Sequence, residues 1–156
     1  DLAKQKAEHA QRQYRQQLAE KATADSDVIA PKSLVAQEAQ NYLKETEMNL
    51  QEQGIELEEY LKLTGTALED VKKQCELRAE KTIAQQLVLE AIAEKENLVV
   101  TDEEIEAEID KMAEHYKMEK EQIRQVLTIQ GHIEGMKHNL LTEKAIDLLL
   151  KEAKIG

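Results

Sequence analysis

Across 156 residues only one proline, Pro31, and five glycines interrupt the chain, so very few positions can stop a helix once it has begun. Between them Ala, Leu, Glu, Lys and Gln dominate, which is the composition of long helices and not of sheets. Apolar residues make up 41% of the chain, enough to bury a core. With no Phe, no Trp and four Tyr, that core must be aliphatic, and base-stacking platforms are not expected of it. The fold class expected is all-α.

The few breaks divide the chain. Residues 1–23 carry Leu2, Ala7, Ala10, Tyr14, Leu18 and Ala22 as a thin stripe on a polar helix. Asp25, Ser26 and Asp27 end it, and Val28 and Ile29 run extended into Ala30 and Pro31, because the residue before a proline avoids helical backbone. Pro31 or Ser33 starts a second helix, with Leu34, Val35, Ala39, Tyr42, Leu43 and Leu50 on its apolar side. It stops at Gly54, and a short helix over 56–63 stops the same way at Gly65, both suited to the left-handed residue past a helix end. Thr66 with Glu69, and Thr101 with Glu104, fit the reciprocal capping box, which starts helices at 67 and 102. The first of these would run about 30 residues, roughly 45 Å, and act as a spine. Its second half, from Ile83 to Ile92, is apolar over most of its circumference and needs several neighbours. Helices over about 119–129 and 133–153 follow, without a repeat that would make a solenoid. The predicted layout is an N-terminal helix and connector (1–27), a first region (28–65), the long helix (66–98), a second region (99–135) and a C-terminal helix (136–156).

Charge and cysteine usage narrow the partners. Asp and Glu outnumber Lys and Arg to give a net charge of −11, which repels nucleic acid and anionic membranes alike. No apolar run approaches the roughly 18 residues of a membrane span. The one cysteine, Cys75, cannot form an internal disulfide, and a reducing, cytoplasmic compartment is expected. The chain opens Asp-Leu-Ala-Lys within a helix, without Met or signal peptide, as an excised piece of a longer protein would.

Catalytic and metal chemistry lack their spacings. None of His9, His115, His132 and His138 follows a Glu by three residues, which removes the carboxylate-bridged di-iron class. His132 and His138 do not share a helix face, and Glu134 with His138 could form a surface pair. Cys75 has Lys72 and Arg78 nearby but no His, the setting of a buried structural thiol. The acids from Asp102 to Asp110 lack a calcium loop and favour the helix N-terminus instead. Gly131 and Gly135 mark a helix break. There is no phosphate loop or nucleophile elbow. No catalytic residue, cofactor or metal ligand is expected.

Apolar surface is what remains. Met48, Ile55, Leu57, Leu63, Met118, Ile129 and Met136, with Ile146 and Leu150, fall at helix ends or beside the main stripes; Met112 and Tyr116 share the apolar face of the 102–116 helix. They either pack in ordinary helix contacts or form half-exposed patches of the kind that mark protein contact sites. Methionine suits the second role, because its flexible thioether adapts to varied partners.

Five motifs in order carry a resemblance. They are Val28-Ile29-Ala30-Pro31-Lys32-Ser33-Leu34-Val35; the stretch from Leu50 to Gly65; Leu87-Val88-Leu89-Glu90-Ala91-Ile92-Ala93-Glu94-Lys95-Glu96; Val100-Thr101-Asp102-Glu103-Glu104-Ile105; and Leu140 to Leu150. Together they resemble the C-terminal chaperone domain of bacterial trigger factor over about residues 28–155. The resemblance implies an elongated multi-helix domain with a long spine helix and two helical arms, 33–65 in one and 101–135 in the other. It implies an ATP-independent chaperone that binds unfolded or nascent polypeptides, with Met48, Ile55, Leu57, Leu63, Met112, Tyr116, Met118, Ile129 and Met136 as candidate client contacts. Ribosome docking and prolyl isomerisation would belong to parts of the parent that this chain lacks. Two departures stand out: the aromatics usual in the family's helices are missing, and the first helix is unusually polar. A homodimeric assembly module with no client binding is the alternative.

Overall fold

A computed structural model describes residues 2–155. Every regular element among them is a helix: α1 (Leu2–Ala24), α2 (Lys32–Glu52), α3 (Leu57–Thr64), α4 (Leu68–Lys95), α5 (Asp102–Tyr116), α6 (Lys120–Ile129) and α7 (His132–Ile155). The fold is all-α, as the composition requires.

Local chemistry explains most of the boundaries. At α5 the Thr101 hydroxyl accepts from the Glu104 N–H at 3.3 Å while the Glu104 carboxylate accepts from the Thr101 N–H at 2.8 Å, a complete capping box. α2 ends in a Schellman turn: Gly54 has φ +74°, its N–H donates to the Gln51 carbonyl at 2.9 Å, and the Ile55 N–H reaches the Leu50 carbonyl at 3.0 Å. Pro31 (φ −60°, ψ 132°) stands one residue before α2. Thr66 corrects the sequence reading. The Ala67 carbonyl accepts from the N–H groups of Asp70 and Val71, so α4 starts at Leu68 and Thr66 lies a residue too early to cap it. Glu69 instead pairs forward with Lys72 at 3.7 Å. Two helices stop on a left-handed residue other than glycine. Asn97 (φ 52°) closes α4 with its own N–H on the Glu94 carbonyl and the Leu98 N–H on the Ala93 carbonyl, and Lys117 (φ 53°) closes α5 with the Met118 N–H on the Ala113 carbonyl.

The chain divides into two compact units, residues 22–88, and residues 1–21 with 89–156. In the first, α2 and α4 meet at Ala39, Cys75 and Ala79, flanked by Val35, Tyr42, Leu43 and Val71. The Tyr42 hydroxyl lies 2.8 Å from Thr82 Oγ1, and the Arg78 guanidinium sits 3.8 Å over the Tyr42 ring. Of the stretch from Ile83 to Ile92 every residue but Ala91 is buried or half-buried.

The second unit holds two clusters. Ile105 and Ile109 of α5 pack with Ile123 and Leu127 of α6, supported by Met112, Ile133, Met136 and Leu140 among others. Leu89 and Ala93 pack with Ala145 of α7, and Leu98, Leu141 and Leu149 border them. α1 is tied to α7 by Arg15, whose guanidinium donates to Asp147 at 2.5 Å and to Glu143. Burial works against the Arg15 charge, but the hydrogen bonds to Asp147 and Glu143 outweigh it and its pKa is raised.

Among the described residues Ile109 is the one large side chain with no exposed surface. Ile109→Ala should therefore cost about 2–4 kcal/mol in urea unfolding through lost transfer energy and the cavity left behind. Ile129→Ala, at a site 84% exposed, should cost under about 0.5 kcal/mol. Lys117→Gly relieves a left-handed side chain and should raise stability by about 0.5 kcal/mol, net of the extra chain entropy of glycine.

Candidate functional site

The side chains that could have carried chemistry are tied up or scattered. No group of three or more His, Cys, Asp or Glu among the described residues is placed to hold a metal ion. His138 pairs with Glu90 at 3.1 Å and not with Glu134, which takes Lys137 at 3.1 Å. Cys75 is buried in the α2–α4 contact. No described helix is long and apolar enough to cross a membrane.

Apolar groups outside the clusters form the site that remains. In residues 22–88, Met48 on α2 is 62% exposed and Leu63 on α3 is 74% exposed, while Ile55 and Leu57 are half-buried where α2 turns into α3. Leu57 joins Leu43, Leu61 and Leu68 in an open groove of about 630 Å³ between α2, α3 and α4, bordered by Glu47, Glu56, Glu58, Gln51 and Lys72. A second groove, of about 400 Å³, lies between the start of α2 and α4, with Ala30, Val35, Ala36 and Leu77 as its apolar lining. In the other unit, Tyr116 is 60% and Met118 43% exposed around the α5–α6 turn, and Ile129 is exposed at the end of α6. Met112 and Met136 are half-buried, packed against the Ile105–Ile109–Ile123–Leu127 cluster. The nine candidates thus separate into five exposed side chains and four half-buried ones, spread over both units.

Leu43, Leu61, Leu68 and Leu77 are groove residues that pattern reading placed in core stripes or passed over. Leu77 carried a usable signal: it lies two residues after Cys75, about 200° around the helix from the buried stripe. For Leu68 no such signal exists, since it continues the Val71–Cys75–Ala79 stripe and is exposed only because the stripe outruns its cover.

Ion pairs fasten the helices beside these faces. Lys120 reaches Asp110 at 2.7 Å and Glu106 at 3.0 Å, and Arg124 also engages Glu106. The hydrogen bond from Lys120, helped by that from Arg124, holds the Glu106 carboxyl below its ordinary range, while Asp110 and Glu106 raise Lys120. Lys144 donates to Glu104 at 2.8 Å and to the Val99 carbonyl at 2.5 Å; with the Thr101 N–H this lowers Glu104. Both carboxylates sit below their unfolded value, so their contribution is complete above about pH 4.3 and is lost as pH falls through the lowered folded values. Acid titration followed by urea unfolding should show the native chain losing more stability below pH 4.3 than a Glu104→Gln, Glu106→Gln variant; equal losses would contradict the assignment.

The described helices pack through small aliphatic clusters and leave apolar groups on their surface. Comparison with known proteins identifies the family. The family described as bacterial trigger factor protein (TF) C-terminus matches residues 1–151, and the chain belongs to that family. It is 35% identical over 153 residues to trigger factor of Halalkalibacterium halodurans, covering 98% of this chain and 36% of the relative. With trigger factor of Bacillus pumilus it shares 41% over 150 residues, covering 96% of this chain and 35% of the relative. The chain therefore spans about a third of the length of the curated relatives it matches. A solved structure of trigger factor domains from Thermotoga maritima aligns with a TM-score of 0.64 over 88% of this chain and 80% of that one, at 22% identity, which shows the fold. The matched segment is the family's C-terminal part.

Proposed function

We propose that this chain is an ATP-independent chaperone domain that holds unfolded or nascent polypeptides on dispersed aliphatic and methionine-bearing patches and so prevents their aggregation. The observation that carries the reading is the exposure of Met48, Leu63, Tyr116, Met118 and Ile129 in a family member whose clusters leave them outside. Ile55, Leu57, Met112 and Met136 offer their half-exposed edges to the same clients. Regions 28–65 and 99–135 supply the client-facing surface.

The magnitudes suit holding and letting go. Each client side chain buried on such a patch contributes about 1.5–3 kcal/mol. Three or four of them contribute about 5–12 kcal/mol against several kcal/mol of association and ordering cost, leaving binding no tighter than roughly micromolar. Several weak patches raise the effective concentration for a long client, yet each contact releases singly, and no nucleotide is needed to free it. The net charge of −11 keeps a loaded chain soluble and disfavours strongly acidic clients. In the longer relatives' setting, ribosome docking and isomerisation fall to other parts of the protein, and the compartment is the cytoplasm.

Light scattering from a chemically unfolded, aggregation-prone protein diluted into this chain without nucleotide tests the reading. Suppression is expected near stoichiometric ratios, and a Met48→Ser, Met118→Ser, Ile129→Ser variant should need about tenfold more protein, equivalent to about 1.4 kcal/mol. No suppression, or suppression indifferent to the three substitutions, contradicts it. Saturable self-association without client binding would favour a homodimeric assembly module.

A further inference from the structure

We propose that the connector between α1 and α2 is a pairing edge, at which Val28, Ile29 and Ala30 bind one extended apolar client segment through main-chain hydrogen bonds. The inference rests on the client-holding reading and adds a mode of recognition to it. The backbone groups of residues 27–30 make no hydrogen bond to any described residue, whereas the flanking groups are engaged: the Ser26 N–H donates to the Thr23 carbonyl, and the Pro31 carbonyl accepts from Val35. Three consecutive peptide units are thus left to solvent, each able to donate and accept.

The geometry suits a strand. Pro31 is extended (φ −60°, ψ 132°), and its ring confines Ala30 to extended backbone as well. Val28 and Ile29 are β-branched, which favours the same conformation. Ile29 is 87% exposed and Val28 just over a third, so the edge presents apolar side chains to an incoming segment without unburying anything. Ala30 also lines the 400 Å³ groove shared with Val35, Ala36 and the half-exposed Leu77, a receptacle for a client side chain beside the edge.

Charge points to the kind of occupant. The groove is bordered by Lys32, Lys73, Glu76 and Glu80, two of each sign, in a chain whose net charge is −11. Nothing there selects a basic or an acidic segment. Recognition falls on what every unfolded apolar stretch shares, an unpaired backbone with apolar side chains, and main-chain pairing reads that without regard to sequence. Pro31 has no N–H to donate, so the edge ends there, and a grip of three residues is weak enough to release. Adding a strand to an exposed edge is otherwise the hazard that sheet proteins guard against; a chaperone would put it to use.

Solvent-exchange NMR on the full chain, with reduced and carbamidomethylated ribonuclease A as the unfolded client, tests the proposal. One edge of a strand pairs alternate residues, so saturating client should slow either Val28 and Ala30 together or Ile29 alone by about tenfold, leaving the others unchanged. Val28→Pro and Ile29→Pro, compared with Val28→Ala and Ile29→Ala, provide a second readout. Only the proline that removes the client-facing N–H should weaken binding beyond its alanine counterpart, with circular dichroism unchanged in all four. Client bound with all three amides slowed uniformly, or none slowed, or with prolines no worse than alanines, overturns the pairing edge and leaves the chaperone reading standing. Failure to suppress aggregation at all overturns both.

Discussion

A shortage of aromatic side chains governs this molecule. With no Phe or Trp to fill an interior, the helices meet through small residues and single aliphatic rows: Ala39, Cys75 and Ala79 in one place, Ala93 and Ala145 in another, and the isoleucines of α5 and α6 in a third. Small contact residues bring helix axes close but remove little surface from water, and only Ile109 among the large side chains is wholly enclosed in the described residues. The apolar residues left over then have nowhere internal to go. Their exposure follows from the same shortage that keeps the clusters small.

Polar fastenings compensate at the edges of those clusters. Arg15 on Glu143 and Asp147, Lys120 and Arg124 on Glu106, and Lys144 on Glu104 with the Val99 carbonyl each tie one helix to another across exposed surface. Exposed pairs contribute little singly, and they are screened by salt, but they set which helix rows face each other. Met118, in the α5–α6 turn, and Ile129, at the end of α6, stay outside.

Much of the architecture was legible because helix ends obey local rules. Thr101 and Glu104, Gly54 and Gly65 announce their boundaries through chemistry contained within a few residues. Thr66 and Glu69 satisfy the same pattern yet fail, since a capping box also needs the chain to enter the helix at that residue, and here it enters one later. Lys117 gives no hint of a left-handed stop, because the preference belongs to a backbone already folded. The candidate surface was legible in kind more than in detail. Periodicity finds the apolar residues but not which lose their cover: Met136, grouped with Met48 by its place beside a stripe, is half-buried against the α5–α6 cluster, while Tyr116, on the same apolar face as the half-buried Met112, is exposed. The grooves at Leu57 and Leu77 depend on how α2, α3 and α4 approach, which no window of sequence records.

The proposed function rests on what the fold leaves unburied, and methyl groups report on that directly. Methyl-resolved NMR of the Ile- and Met-labelled chain, titrated with a permanently unfolded protein, separates the two populations of side chain. The account predicts shifts and broadening at Met48, Met118, Ile29 and Ile129, with Ile105, Ile109 and Ile123 unmoved. Perturbation centred on the buried isoleucines, or no perturbation at saturating client, would contradict the claim that the uncovered residues are the binding surface.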